Sequence, residues 1–401
     1  MNNKIIILGM ALALVLTPYT GFQAFAEELN VTEESPEKNE KEVVQEVEEL
    51  QLTLEDAVEL ALEGNKDIEI QELELSKAEI VYKDNIRGID RGEDNLQFIP
   101  VRDAFGGVIP DAVVNKAFIR NGGARLATEL GLDSAKWNME MKENEVRYNV
   151  EKAYFDLLQV EKELEIAQDN LALAQKQYDH GKLRYEVGMI SQQQLLGLEF
   201  SLSQAQSSHE TARMYHGLQK MSFRNTLGMD LDKEFKLLDS IEVKEYEEID
   251  LEESIGLALE NNGSLKIVEG NVEVANLNLQ ALSGRYPDIT YAYRAQAADV
   301  AKAEKNLETV RTGVEMQVRS AVLNLTTAEK QIATFEKAVF QASEGVRIAE
   351  LSFELGQNTA TEVAQANLNL MNAKKNLAQQ IHAFNMALLD YKYSVGIGKG
   401  F

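Results

Sequence analysis

Residues 157–188 read LLQVEKELEIAQDNLALAQKQYDHGKLRYEVG, and a large apolar side chain returns at every seventh position. These positions are Leu157, Leu164, Leu171, Tyr178 and Tyr185, and a small or medium-sized residue follows three positions after each. A sustained seven-residue apolar repeat is typical of a helix that packs along a coiled-coil seam, not around a globular core. The stretch therefore predicts a long helix that ends at a glycine turn around residue 188.

The same pattern returns 168 residues later at Leu325, Ile332, Val339, Val346 and Phe353. A second duplication has a different offset, because LEDAVELALEGN at 54–65 matches LEESIGLALENN at 251–262, 197 residues further on. The second copy is thus 29 residues (197 − 168) shorter between its short helix and its long helix. Each copy is predicted to open with a short amphipathic helix, capped by Thr53 or by Asp250.

Past each glycine turn the apolar repeat resumes, at Leu195 and Leu202 in the first copy and at Val363, Leu370, Leu377 and Phe384 in the second. Each copy is therefore predicted to be a long antiparallel helical hairpin. We expect helices at 133–186 and 191–227, then at 300–354 and 358–392. The returning helices are too short to cover the long ones, so the helices expected at 66–85 and 264–283 should stack end to end with them.

Composition excludes several classes of protein. The chain has 40 Lys and Arg against 66 Asp and Glu, a net charge of −26, which disfavours binding to the phosphate backbone of a nucleic acid. It has no Cys, which excludes disulfides, thiol nucleophiles and Cys-based zinc sites. No Ser/His/Asp constellation or phosphate loop has supporting local sequence, so neither an enzyme nor a cofactor site is expected.

The N-terminus has the features of a secretory signal peptide over residues 1–26: Lys4, an apolar run at 5–16, and Ala24-Phe25-Ala26. The apolar run falls short of the roughly 20 residues that span a bilayer, so cleavage and export to the cell envelope are favoured over a membrane anchor. Residues 27–50 hold ten Glu and two Lys, and are predicted to form an acidic disordered leader.

In order, spacing and duplication, these features resemble the TolC-like outer-membrane efflux family. The matching residues are the openings at Leu54 and Leu251, the segment AYFDLL at 153–158, and the turn YEVGMIS at 185–191 with its echo from Phe353. The resemblance runs from about residue 52 to residue 397 and gives three parts: a first helical repeat at 51–230, a linker at 231–248 and a second repeat at 249–397.

The resemblance implies a homotrimer in which each chain gives four helical strands to a twelve-stranded α-barrel in the cell envelope, at the outer membrane. It implies passive conduction of drugs, metals or polypeptides, with a periplasmic adaptor protein and an inner-membrane pump as partners. It also implies that the hairpin tips meet the adaptor, at Val187, Gly188, Ser191, Leu195, Leu355, Gly356 and Thr359.

In the family's gate, acidic residues follow the second tip glycine by six and nine positions, which are Glu362 and Gln365 in this chain. The resemblance thus keeps one acidic ring on Glu362, three carboxylates that favour cations. The basic latch residue of the family is replaced by Asn358. An ordinary solvated position beside the heptad seam is the alternative for Glu362.

The chain departs from the family where strand pairs are expected. Residues 88–123 alternate poorly, and in the second copy only Ile289, Tyr291 and Tyr293 alternate before helix-forming sequence begins. A membrane strand needs about 9 to 11 alternating residues and a paired edge. The predicted fold class is therefore all-α, duplicated coiled-coil hairpins forming a TolC-like α-barrel as a trimer, with the membrane β-barrel absent or reduced to a stub.

Other readings stay open at this point. A structural coiled-coil spacer of the envelope would inherit the hairpins and conduct nothing, whereas an adaptor would need a β-rich module that the sequence lacks. His209 and His216 lie seven residues apart and suggest a metal pair, but their counterparts in the second copy are Leu377 and Phe384. Packing in the seam is therefore the better interpretation, and no metal site is expected.

Overall fold

The computed structural model describes residues 50–96, 101–102, 107–246 and 248–396. The predicted signal peptide and all of the predicted leader except Leu50 lie outside these residues. The elements, in chain order, are β1 (Leu50–Leu52), α1 (Leu54–Gly64), α2 (Lys66–Asp94), α3 (Pro110–Arg120), α4 (Gly123–Glu186), α5 (Gln192–Thr226), β2 (Phe235–Leu237), α6 (Leu251–Asn261), α7 (Gly263–Ser283), α8 (Tyr291–Glu354) and α9 (Ala360–Val395).

The all-α fold class and the duplicated hairpins are confirmed. Helices α4 and α8 have 64 residues each, and each turns back into a shorter antiparallel helix, α5 or α9. At about 1.5 Å per residue, each long helix extends roughly 96 Å. Of the described helices, none combines the length and apolarity that a bilayer crossing requires.

The predicted stacking of short helices along a long one is also present. Helices α2 and α5 have 29 and 35 residues, together as many as α4. Lys142 of α4 pairs with Asp67 of α2, and Arg125 pairs with Asp90, whereas Gly181 lies against Leu198 of α5. The two short helices therefore cover successive halves of α4. In the second copy, α7 and α9 both pack against α8.

Several predicted helix boundaries were wrong. Helix α4 starts at Gly123, ten residues before the expected start, because Gly122 takes the left-handed conformation (φ 80°) that lets the chain enter the helix there. Helix α8 starts at Tyr291, nine residues early, since Thr290 caps it by accepting the backbone N–H of Tyr293 at 3.3 Å. Tyr291 and Tyr293 are thus helical, not extended.

The segments that join the short helices to the long ones differ between the copies. In the first copy, α2 continues to Asp94 and the helix α3 follows, with one isolated antiparallel bridge between Arg102 and Val108. In the second copy, α7 and α8 are joined by the seven residues 284–290, which form no strand.

The largest hydrophobic core of the described residues joins the start of the first repeat to β2 and to the C-terminal part of α9. Strand β1 pairs in parallel with β2, in the register Leu50 with Phe235 and Leu52 with Leu237. Tyr154 of α4 is buried beneath this pair, and its hydroxyl donates to Asp239 at 2.7 Å. Leu389 and Tyr393 of α9 belong to the same core. Helix α9 therefore completes a core to which β1 also belongs.

Candidate functional site at the hairpin tips

The first tip is a glycine turn that closes α4 and opens α5. Gly188 has a φ of 76°, the left-handed region that glycine enters without steric penalty. The Met189 N–H donates to the Arg184 carbonyl at 2.8 Å, and the Gly188 N–H to the Tyr185 carbonyl at 2.9 Å. This pair of bonds is a Schellman motif, which satisfies the carbonyls at the helix end.

The second tip repeats the same turn around Gly356, with a φ of 72°. The Gln357 N–H donates to the Ser352 carbonyl at 2.8 Å, and the Gly356 N–H to the Phe353 carbonyl at 3.1 Å. The duplicated sequence thus encodes a duplicated backbone turn.

Each returning helix starts with a capping box, in which the cap side chain and the third helical residue bond to each other's backbone. At the first tip, Ser191 accepts the Gln194 N–H at 3.3 Å and Gln194 accepts the Ser191 N–H at 2.8 Å. At the second tip, Thr359 accepts the Glu362 N–H at 3.3 Å and Glu362 accepts the Thr359 N–H at 2.6 Å. The backbone of both tips is therefore hydrogen-bonded on both sides of the turn.

The tips expose apolar side chains. Val187 and Met189 are 70% and 73% exposed, and Leu355 is 66% exposed. Leu183 and Leu351 extend this apolar surface along α4 and α8. Of the other predicted tip residues, Gly188, Ser191, Gly356 and Thr359 are exposed and Leu195 is half-buried. Contiguous exposed apolar surface on a rigid element marks a surface that another molecule covers.

The side chain of Arg184 links the two tips to each other. The Arg184 Nη1 donates to the Phe353 carbonyl at 3.4 Å, and its guanidinium lies 4.7 Å from the centre of the Phe353 ring. A cavity of about 170 Å³ beside this contact is lined by both hairpins, including His180, Leu198, Glu350 and Val363. Arg184 was not predicted as a site residue, because its partner comes from a helix 169 positions away.

The structure places the predicted gate residues at the start of α9. The Glu362 carboxylate is exposed and also accepts the Thr359 hydroxyl at 3.0 Å. The Gln365 amide donates to Asn369 at 3.1 Å, one turn along the same helix. Capping accounts for the position of the Glu362 carboxylate, and the part of Glu362 and Gln365 in a gate stays a prediction.

Between the hairpins, α4 and α9 are joined by a row of polar contacts that we name the polar ladder. Its α4 members are acidic and its α9 members are cationic or neutral donors. The contacts are Asp156 with His382 at 2.7 Å, Glu163 with Gln379 at 3.1 Å, Glu163 with Lys375 at 3.0 Å, and Asp169 with Lys374 at 3.9 Å.

Two of the histidines lie against acidic residues of α4, and one of them belongs to the ladder. Local sequence spacing offered His382 no acidic partner, but the fold supplies Asp156 from α4. The Nε2 atom of His216, on α5, lies 3.5 Å from the Glu161 carboxylate of α4 within the first hairpin. Among the described residues, no group of three or more His, Cys, Asp or Glu side chains is arranged to hold a metal ion.

Sequence comparison finds one extended relative. The chain is 23% identical over 298 residues to the outer membrane protein TolC of Vibrio cholerae, a match that covers 62% of this chain and 66% of that protein. The chain thus matches just under two thirds of the length of this relative. No family model matches the sequence.

Structural comparison finds outer-membrane channels. The CmeC outer membrane channel of Campylobacter jejuni superposes with a TM-score of 0.65 at 13% identity, over 86% of each chain. The outer membrane protein VceC of Vibrio cholerae superposes with a TM-score of 0.64 at 14% identity, over 86% of this chain and 97% of that one. The comparisons confirm the predicted resemblance to TolC-like outer-membrane efflux proteins.

Proposed function

We propose that this TolC-like chain is the subunit of an efflux or export channel, a homotrimeric helical tube that conducts small molecules or polypeptides across the cell envelope. It would work with a periplasmic adaptor protein and an inner-membrane pump, and it performs no chemistry of its own.

The observation that carries this proposal is a pair of open apolar edges. Toward the tips, α4 and α9 contact each other, and α5 and α8 flank them. Both flanking helices expose large apolar side chains: Leu196, Phe200, Met214, Tyr215, Leu218 and Met221 on α5, and Met316, Leu323, Phe340 and Ile348 on α8. Because the two edges lie on different helices, the α5 edge of one chain can pack on the α8 edge of the next, a head-to-tail contact that closes into a ring. Such a ring encloses a lumen.

The tips supply the second line of support. They present the exposed apolar residues Val187, Met189 and Leu355 on two rigid turns. The resemblance assigns this surface to an adaptor, and an adaptor of complementary apolar character would cover it. The outer-membrane position follows from the same resemblance and is part of the proposal.

The molar mass of the chain in solution and dye accumulation in cells together test the proposal. The molar mass of the purified chain should correspond to a trimer, and Phe200→Glu or Phe340→Glu, which put a charge on an open edge, should dissociate it. In cells that carry the chain, its deletion should raise accumulation of an ethidium dye, and Leu355→Asp at the second tip should raise it too without dissociating the trimer.

Two outcomes separate the alternatives. A trimer whose deletion leaves dye accumulation unchanged would favour the envelope spacer, and a monomer would remove the basis for a lumen. Glu362→Gln tests the gate without disturbing the helix cap, because Gln keeps the capping box as Gln194 does at the first tip. If Glu362 acts in a gate, this variant changes the cation selectivity of transport while the trimer and its helix content stay the same.

A further inference from the structure

The end of the hairpins opposite the tips carries a surface that neither conduction nor adaptor binding uses. Helix α7 runs antiparallel to α4, since Gly270 lies against Leu130 and Gly263 lies against Trp137. The C-terminal end of α7 therefore lies near the start of α4, and α3 packs against both helices. We name this region the connector end: residues 107–120, with α3, and the turn 284–290 with the first turn of α8.

The connector end exposes large apolar and aromatic side chains. Ile289 is 76% exposed and Tyr291, the first residue of α8, is 92% exposed. Val108 is also exposed, on the other connecting segment. Ile289 and Tyr291 are two residues apart, on either side of the helix cap Thr290.

The charge of this end is opposite to that of the chain. The connector end, residues 107–120 and 284–294, holds four basic residues, Lys116, Arg120, Arg285 and Arg294, against the two acidic residues Asp111 and Asp288, in a chain of net charge −26. Arg120, Arg285 and Arg294 are exposed to solvent. Local positive charge in so acidic a chain requires a specific reason.

Arginine, tyrosine and exposed aliphatic side chains together fit one kind of partner. A guanidinium binds phosphate in a bidentate geometry. Tyrosine prefers the boundary between water and hydrocarbon, where its ring is buried and its hydroxyl stays hydrated. A surface with both, and with aliphatic side chains beside them, matches the headgroup layer of an anionic membrane.

We propose that the connector end docks onto an anionic phospholipid surface, with Ile289 and Tyr291 entering the headgroup region and Arg120, Arg285 and Arg294 binding lipid phosphates. The contact is peripheral, because it is made by a turn and by the surface of α3. The inference rests on the membrane position in the proposed function and names the surface that would make the contact. It does not depend on conduction.

Flotation of the purified full chain with lipid vesicles tests the proposal. The chain should bind phosphatidylcholine vesicles that contain phosphatidylglycerol, more weakly at high salt, and bind vesicles of phosphatidylcholine alone less. Arg285→Gln with Arg294→Gln should weaken binding roughly tenfold or more. Arg311→Gln with Arg347→Gln, which remove the same charge from exposed sites elsewhere on α8, is the control and should bind as the unaltered chain does.

A fluorescence reporter makes the test local. Trp137 is the single tryptophan, and it lies in α4 against α7. The indole of Tyr291→Trp should shift its emission to the blue on anionic vesicles and be quenched by brominated lipid, whereas that of Phe340→Trp should do neither. Helix content by circular dichroism verifies that each variant folds.

Three results would overturn the inference: equal loss of binding in the control pair, an indole at 291 that stays in water, or binding that a soluble polyanion captures and vesicles do not. Because vesicle binding requires neither trimer closure nor a pump, its failure would leave the channel proposal standing. A chain that binds vesicles but does not transport the dye would contradict the channel proposal and leave this inference standing.

Discussion

The seam inside each hairpin and the seam between the hairpins are built from different chemistry. Inside the second hairpin, Leu325, Ile332 and Phe384 are buried together, with Ala328 and Ala387 filling the space between them. Between the hairpins, from Asp156 toward the tips, the polar ladder joins α4 to α9. The first kind of seam is held by burial, which has no preferred direction, and the second by directional contacts that water and salt can replace.

This difference assigns separate roles to the two seams. Apolar burial stabilises each hairpin, since each fully buried large apolar side chain contributes on the order of 1.5 to 3 kcal/mol. Partly exposed ion pairs contribute about 0 to 1 kcal/mol each. We therefore expect each hairpin to keep its own shape under conditions that weaken the contacts between the hairpins.

The largest effect is expected from the apolar seam. Leu325→Ala removes a side chain that is 1% exposed, and should lower the free energy of unfolding by about 2 to 5 kcal/mol. Urea unfolding followed by circular dichroism measures it. Leu231→Ala, in the exposed loop before β2, should stay within about 0.5 kcal/mol of the unaltered chain. Equal effects in both would show that the heptad does not hold the hairpin.

The second prediction concerns the junction of α4 and α9 next to the core. The Tyr393 hydroxyl donates to the buried Glu151 at 2.8 Å. Burial, and then the Glu151 charge, raise the pKa of Tyr393 far above its ordinary value of 10.0. Tyr393→Phe should lower the free energy of unfolding by about 1 to 3 kcal/mol at neutral pH, because it leaves a buried carboxylate with one donor fewer.

The same tyrosine predicts a pH dependence. A raised pKa in the folded chain stabilises it below pH 10, and this contribution is lost as the pH rises above 10. The unaltered chain should therefore lose stability in alkali more steeply than Tyr393→Phe does. Tyr291→Phe is the control, since Tyr291 is almost fully exposed. Parallel alkaline curves for all three chains would contradict the assignment.

The third prediction concerns the turns that close the apolar seams. Gly356→Ala places a side chain at a φ of 72°, and should lower the free energy of unfolding by about 1 to 2 kcal/mol. Gly345→Ala, in a helical position where an added Cβ meets nothing within 4 Å, should raise it by about 0.5 to 1 kcal/mol. Thermal unfolding of both variants gives opposite signs if the turn conformation, and not the glycine content, is what matters.

The smallest effect is expected from the polar ladder. A double-mutant cycle of Glu163→Gln and Lys375→Gln, whose charged atoms are 3.0 Å apart, should give a coupling free energy of about 0.2 to 1 kcal/mol. The coupling should fall as salt is added. A coupling as large as the Leu325→Ala effect, or one indifferent to salt, would remove the distinction between the two seams.

The sequence alone was sufficient to predict the features that occur in both repeats. Heptad positions, glycine turns and caps are local patterns, so the hairpins, the turns at Gly188 and Gly356 and the caps Thr53 and Asp250 were predicted correctly. The starts of α4 and α8 were missed because Gly122-Gly123 and Tyr291 resemble loop or strand sequence, and only the φ of Gly122 and the cap at Thr290 reveal the helix.

The contacts between distant segments could not be predicted. The polar ladder pairs residues more than 200 positions apart, and neither Asp156 nor His382 belongs to a motif. Arg184 and Phe353 stand in different repeats. The capping role of Glu362 was within reach, since Thr359 and Glu362 have capping-box spacing.

The parallel pairing of β1 with β2 also determines when the chain can fold. Leu50 and Phe235 are 185 positions (235 − 50) apart. At the usual synthesis rate of about 5 to 20 residues per second, β1 waits about 10 to 40 s for its partner. Leu389 and Tyr393, from the same core, arrive later still. A nascent chain that ends at residue 230 has its first hairpin but no closed core, so we expect a chaperone to hold it until almost the whole chain has been made.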